Sequence, residues 1–228
     1  MESELKFVIP DHQLTPALSI IEALCVEDTQ HPAANIFSIY YDSQVFDSLN
    51  EKINSDYYKS KVRLRWYQDN VSKRFSETAY AEAKFRIGAQ RQKHRVISDL
   101  KPQDLAAISL DDDALNSTTT HLLSKGVIIN KPLFPTLLIQ YQRRRFVDPI
   151  SGNRISIDNN IQTPRWNQRM MPGASAAKLQ TAVIEIKGNQ NRMPQNLHIL
   201  TQFGVRKSSF SKYLSCISRC HQVTFDPR

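Results

Sequence analysis

The sequence predicts an α+β fold dominated by antiparallel strands, on three observations. Eight segments alternate apolar and polar residues with the period of a strand that buries one face. Helical patterns fill the intervals, and no run reaches the roughly 18 apolar residues of a membrane span. The 228 residues are enough for one sizeable core, so a single domain over residues 1–228 is expected. Eight strands also suffice to close a small barrel.

The elements follow in order. Glu2–Ile9, "ESELKFVI", is the first strand, and a helix over "QLTPALSIIEALCV" follows Asp11, with Pro16 early in its course. The second strand is Asn35–Asp42, and "SQVFDSLNEKI" is a short helix after it. Lys59–Tyr67, Thr78–Ile87 and Gln92–Ile97 are strands three to five. A weaker helix, "DALNSTTTHLLSKG", stops at Gly126, and strands Thr136–Asp148 and Asn153–Asn160 come next. Gln162–Lys178 carries two prolines and no period, which predicts a loop. The last strand is Thr181–Gly188. "PQNLHILTQFG" reads as a helix punctuated by Pro194 and Gly204, and "SSFSKYLSCISRC" as a closing helix capped by Ser208 or Ser209.

Composition is ordinary for a globular protein, but the formal net charge is +8 with a pI near 9.4. That favours an anionic partner, whether nucleic acid, an acidic membrane surface or a phosphate-rich small molecule. Cys25, Cys216 and Cys220 make no disulfide framework and lack metal-ligand spacing, which fits a reducing compartment. "MESELKFVIP" has no basic stretch followed by an apolar one, so a soluble cytoplasmic protein is expected.

Function enters with the polar strand faces. In "YKSKVRLRWY", Lys59, Lys61, Arg63 and Arg65 share one face, because side chains alternate along a strand. Other strands add Glu4 and Lys6; Tyr80, Glu82, Lys84 and Arg86; Lys93 and Arg95; Tyr141, Arg143 and Arg145; Arg154, Ser156 and Asp158; and Glu185 and Lys187. Glu-x-Lys recurs three times, as Glu4/Lys6, Glu82/Lys84 and Glu185/Lys187, each opposite an apolar face. A sheet with one solvated face would carry mixed charges too. A solvated face also tolerates Ser, Thr, Gln and Asn, however, whereas these strands repeatedly choose Arg, Lys and Glu. A polar lumen so rich in cations would repel itself unless its usual content were a polyanion. The minority carboxylates then suit Mg²⁺ or Mn²⁺, and cations around phosphates with carboxylates around a metal is the arrangement phosphoryl transfer needs.

These stretches resemble the VTC-type polyphosphate polymerase domain, a branch of the triphosphate tunnel metalloenzyme (CYTH-like) superfamily. "SELKFVI" is similar to the family's opening strand, and Glu2-x-Glu4-x-Lys6 to the ExExK signature of the superfamily. "SIYYD", "YKSKVRLRWY", "AEAKFRI" with "QKHRV", "YQRRRFV", "NRISIDNNI", "VIEIKG" and "SSFSKYLSCI" resemble its later segments in the family's order, over nearly the whole chain. The resemblance implies an eight-stranded antiparallel β-barrel, the triphosphate tunnel, with helices packed outside. It implies that Lys6, Lys61, Arg63, Arg65, Lys84, Arg143, Arg145 and Arg154 line it and grip phosphates, with Lys212 and Ser209 contributing from the closing segment. Glu185, assisted by Glu4 or Glu82, would hold Mn²⁺ or Mg²⁺. The implied reaction moves the γ-phosphoryl group of ATP onto a growing polyphosphate, with Lys61, Arg63, Arg65, Lys212 and Glu185 at its centre. The phosphate-sensing helical domain and membrane helices of eukaryotic members have no counterpart in this sequence. Synthesis coupled to translocation is therefore not expected of this chain by itself, and a membrane-protein partner is left open.

Two rivals remain open from the residues: a tunnel triphosphatase, and a non-catalytic binder of polyphosphate or RNA. Carboxylates among the cations argue against a pure binder, and nucleic acid is not the expected partner. Asp111–Asp113 reads as a solvated helix start, His94 as facing away from Lys93 and Arg95, His198 as a plain helix residue, and "RWNQRMM" as a loop. Arg144 falls on the opposite side from Arg143 and Arg145, in a register that alternation alone leaves open.

Overall fold

A computed structural model describes residues 3–189 and 192–221; Glu2, expected in the first strand, lies outside them. In chain order the elements are β1 (Ser3–Pro10), α1 (Leu14–Leu24), β2 (Val26–Glu27), β3 (Ala34–Asp42), α2 (Asp47–Ile53), β4 (Tyr58–Asp69), β5 (Ala79–Ile87), β6 (Gln90–Ser98), α3 (Pro102–Leu105), α4 (Ser117–Ser124), β7 (Phe134–Val147), β8 (Arg154–Trp166), β9 (Ala177–Lys178), β10 (Thr181–Gly188), β11 (Arg206–Lys207) and α5 (Lys212–Cys220). All eight expected strands are present, and β2, β9 and β11, of two residues each, raise the number to eleven. The closed ring of eight is corrected accordingly. The path of paired strands begins at β11 and ends at β6, and no pairing joins those two among the described residues. Part of the reason is local: β11 is two residues long, and β6 carries Arg91, Lys93 and Arg95, charges that discourage edge pairing.

The chain forms two compact units. The first gathers the chain up to Asn35, Tyr141–Ile161 and Leu179–Ser211. Its strand order is β11-β1-β10-β8-β7, with β2 on β7. The apolar faces of these strands supply Leu5, Phe7, Ile9, Phe146, Ile155, Ile157, Ile184 and Ile186, which pack on Ala17 and Ile21 of α1. Gln195–Phe203, expected as a helix, is a 3₁₀-helix, and its buried Leu197 and Leu200 stand at the three-residue repeat that such a helix stacks. Gly204 ends it at φ 72°, a left-handed conformation open to glycine without strain.

The second unit holds Ile36–Gln140, Gln162–Lys178 and the chain from Lys212. Its order is β7-β3-β4-β5-β6, with β9 on β8. Val62, Leu64, Trp66, Ala79, Ala81 and Ala83 form a core with Ile39, Tyr41 and residues from Leu105 to Val127. Phe37 stacks on Trp66 with ring centroids 5.4 Å apart. The β5–β6 hairpin turns through Gly88, where φ is 56° and the Tyr57 ring fills the space a Cβ would need.

Two further expectations change. The loop Gln162–Lys178 begins as strand, because β8 runs to Trp166 and pairs β9 through Gln162↔Lys178 and Thr163↔Ala177. Pro164 misled the reading: it is exposed in that strand, a position where a missing N–H is tolerated. The closing helix starts at Lys212, so Ser208 and Ser209 do not cap it. The Ser208 amide instead donates to the Lys6 carbonyl oxygen at 2.9 Å. Among the described residues no helix is long and apolar enough to cross a membrane.

Candidate functional site

Strand register builds the site in the second unit. The β4–β5 register places Arg63 opposite Glu82, and the β5–β6 register places Glu82 opposite Arg95. One rung along, Lys61, Lys84 and Lys93 fall side by side across the same three strands. Like charges directly opposite repel, and Lys93 of this rung reaches Glu82 at 3.3 Å.

Glu82 gathers the cations. Its carboxylate is 3% exposed as a residue and receives Arg63 Nε at 2.7 Å and Nη2 at 2.6 Å. Lys93 Nζ approaches to 3.3 Å, Arg95 Nε to 3.5 Å and Arg65 Nη1 to 3.9 Å. Burial alone would raise this carboxyl, but Arg63, Arg65 and Lys93 overcome it and bring it down to about 2. One carboxylate thus lies within 4 Å of four cationic side chains.

Arg65 is buried, and its Nε donates to Ser38 Oγ at 3.0 Å. Arg63 Nη1 donates to Tyr40 Oη at 3.5 Å. Burial pushes the Tyr40 phenol up, but Arg63, Arg65 and Lys212 outweigh it and hold the phenol below its ordinary value. The Tyr40 ring stacks on Tyr213 at 5.1 Å, and Tyr213 Oη donates to Asp42 Oδ2 at 2.8 Å. The same Asp42 carboxylate accepts the amides of Ser43, Ser48 and Leu49, which fixes the start of α2. Lys212, first residue of α5, is buried.

The first unit has its own charged cluster. Register pairs Lys6 with Glu185, Glu185 with Ser156, and Lys187 with both Glu4 and Arg154. Lys6 Nζ stands 3.6 Å from both Glu4 Oε1 and Glu185 Oε1. Arg143 grips the fully buried Asp158 with Nε and Nη2, and the same Nη2 lies 3.2 Å from Glu185 Oε2. Burial works against the Arg143 charge, and Asp158, with Tyr141 and Glu185, more than restores it.

The arginine run on β7 sorts itself by partner. Arg143 faces carboxylates, while Arg144 turns to Glu22 and Glu27 and lies 5.0 Å over the Phe146 ring. Arg145 donates to the carbonyl oxygens of His31 and Pro32 at 3.4 and 3.3 Å. Lys84, Arg154 and Ser209 are exposed. His94 packs edge-on against Phe85, away from Lys93 and Arg95. Asp112 accepts the Ala114 amide and so caps a short 3₁₀-turn, and His198 Nε2 lies 3.3 Å from the Met193 carbonyl oxygen.

The carboxylates differ in their fitness for a divalent metal. Glu82, ringed by cations, offers a poor seat for another. Glu4 and Glu185 each have an oxygen 3.6 Å from the Lys6 ammonium, with Arg143 on the other oxygen of Glu185, and could supply two oxygen ligands. No group of three or more His, Cys, Asp or Glu side chains converges among the described residues, so phosphate oxygens and water would have to complete the shell.

Asp158, Tyr40, Lys93 and Arg95 join these clusters without having been singled out as site residues. Alternation already places Lys93 and Arg95 on one face of "QKHRVI", and Ser38 and Tyr40 on one face of "SIYYD".

Comparison with known proteins agrees in part with this picture. The family model for the VTC domain matches residues 1–221. No curated protein sequence matches the chain. Among solved structures, the PH1819 protein from Pyrococcus horikoshii OT3 aligns with a TM-score of 0.47 at 14% identity, covering 94% of this chain and 97% of that one. A conserved hypothetical protein from Pyrococcus furiosus gives 0.46 at 10% identity, over 94% and 99% of the two chains. A protein described as a candidate adenylate cyclase from Vibrio parahaemolyticus gives 0.46 at 13%, over 92% and 94%. Likenesses this distant leave the family match as the sole basis for assignment.

Proposed function

The chain belongs to the VTC-domain family, and on that premise we propose that it is a metal-dependent polyphosphate polymerase, transferring the γ-phosphoryl group of ATP to the end of a polyphosphate chain. The observation that carries the proposal is the gathering of Arg63, Arg65, Lys93 and Arg95 around the single carboxylate of Glu82. A face that gathers this many cations suits a ligand whose every unit is anionic.

A terminal oxygen of polyphosphate attacks the γ-phosphorus, a new P–O bond forms, the bond to the β,γ-bridging oxygen breaks, and ADP departs. No covalent bond to the enzyme is needed. Arg63, Arg65 and the Lys61–Lys84–Lys93 rung offset charge on the transferring and bridging oxygens, and their fixed spacing holds the acceptor in line. Lys212 adds charge beside Tyr40. Glu4 and Glu185 would hold Mn²⁺ or Mg²⁺, which supplies Lewis-acid charge to phosphate oxygens when bound. A membrane-protein partner would receive the product.

The test is a product assay. Purified protein is incubated with ATP and Mn²⁺, and products are resolved by chain length, with Glu185→Gln as control. Polyphosphate that lengthens with time supports the polymerase. Orthophosphate alone would turn the assignment to a triphosphatase, and binding of polyphosphate without turnover would leave a binder.

A further inference from the structure

Past Glu82, the polar face of β4, β5 and β6 changes character from charged to aromatic. Tyr67 continues the line of Lys61, Arg63 and Arg65 on β4, and Tyr80 follows Glu82 on β5. The Arg95 guanidinium lies flat over the Tyr80 ring, its carbon 3.6 Å from the ring centroid. Tyr67 meets Tyr80 edge-on at 6.5 Å, and Arg95 Nη2 donates to Tyr67 Oη at 3.4 Å. Thr78 Oγ1 donates to Tyr80 Oη at 2.9 Å, which fixes the ring from the other side. The result is a planar cation with one face on tyrosine, and its side chain keeps 40% of its exposure.

Such a plane is more than a further phosphate contact. Guanidinium planes and aromatic rings are what unpaired nucleobases stack on, with no demand for a particular base. A chain of inorganic phosphates has no use for an aromatic surface, and a solvated strand end has no need of one. Register sets the platform beside the cations: Arg95 lies on the rung of Glu82 and Arg63, and the Lys61–Lys84–Lys93 rung lies two residues further along, about 7 Å at a rise of about 3.3 Å per residue.

We propose that Arg95, held flat by Tyr80 and Tyr67, is the nucleobase platform of the donor site, and that it takes the base of a nucleoside triphosphate whose phosphates lie along β4 towards Arg63 and Lys61. The proposal rests on the nucleotide-using reading given above. Because stacking demands no particular hydrogen bond, the site takes any nucleobase, the larger purines ahead of the pyrimidines by ring area.

Titration calorimetry with ATP and with inorganic tripolyphosphate separates the two ideas. The ratio of the two affinities is measured for the unaltered protein, for Tyr80→Leu, which removes the support, and for Arg95→Lys, which keeps the charge and loses the plane. In both variants the preference for ATP over tripolyphosphate is expected to drop at least about fivefold, the lower end of what one base stack contributes. A ratio unchanged in both, with tripolyphosphate still bound, would overturn the platform and leave the polyphosphate reading standing. An unaltered protein that binds neither ligand would overturn both. Circular dichroism of each variant identifies one that has lost its fold, and the other then decides.

Discussion

Arg63 places two guanidinium nitrogens on one oxygen of Glu82, Nε at 2.7 Å and Nη2 at 2.6 Å, although three other cations lie within 4 Å of the same carboxylate. This pair is the pivot of the basic face. The carboxylate is buried and the charges around it keep partial contact with water, so removing it strands them unequally.

Glu82→Gln is expected to destabilise the protein by about 2–3 kcal/mol, less than the about 3–5 of a fully enclosed pair, because Lys93 and Arg95 reach solvent. Urea denaturation measures this. Tripolyphosphate should restore more stability to the variant than to the unaltered protein, since it binds only the folded state. The pH dependence has a definite sign. Glu82 titrates at about 2 when folded against 4.5 ordinarily, so its contribution is complete above pH 4.5 and is lost as pH falls through about 2. Unfolding that shows no acid destabilisation beyond that of Glu82→Gln would contradict the pairing.

Arg143 and Arg144, neighbours in sequence, should behave oppositely. Arg143→Ala removes both guanidinium contacts from the fully buried Asp158 and is expected to lose about 3–5 kcal/mol. Arg144→Ala breaks partly exposed pairs with Glu22 and Glu27, for a change of about 0.2–1 kcal/mol. Polyphosphate affinity should be unmoved by Arg144→Ala. Equal effects in denaturation would mean that the assigned register is wrong.

Tyr40 gives a spectroscopic handle. The difference in ultraviolet absorbance between the unaltered protein and Tyr40→Phe should show one phenol ionising below the ordinary value of 10.0. Lys212→Ala removes one of the charges responsible and should move that ionisation upward. Bound tripolyphosphate should do the same, by screening Arg63 and Arg65.

Metal use should divide the carboxylates. A chelator is expected to stop turnover, and added Mn²⁺ to restore it. Glu4→Gln should raise the Mn²⁺ concentration for half-maximal activity about tenfold or more, and Glu185→Gln should abolish turnover. Paramagnetic resonance of Mn²⁺ read on Glu82→Gln should match the unaltered protein; a weakened signal there would assign Glu82 to the metal after all.

Strand positions along the chain and their facing were legible in the sequence because alternation is a local property. Ile184 and Ile186 against Glu185 and Lys187 can be read with no knowledge of a partner. Pairing is not local, and the illegible parts follow from that. The two-residue strands are too short to carry a period, and Pro164 hides the end of β8 because its exposed position cannot be inferred from its neighbours. Asp158 shows as a polar-face residue, but nothing in "RISIDNN" says that Arg143 bonds it from another strand. The same holds for Glu82: its spacing from Lys84 suggests a metal ligand, and only cross-strand register reveals the cations that surround it.

The three arginines of β7 have a consequence for how that strand finds its place. A strand slipped by one residue would still offer a guanidinium to Asp158 and another to Glu22, so charge cannot detect the mistake. Phe146 can, because the slip would carry it out of its buried position on the apolar side and into the polar one. Proofreading of a strand with three adjacent arginines therefore falls to an uncharged ring. A substitution there would be felt first as misassembly during refolding, while every ion pair could still form in the wrong place.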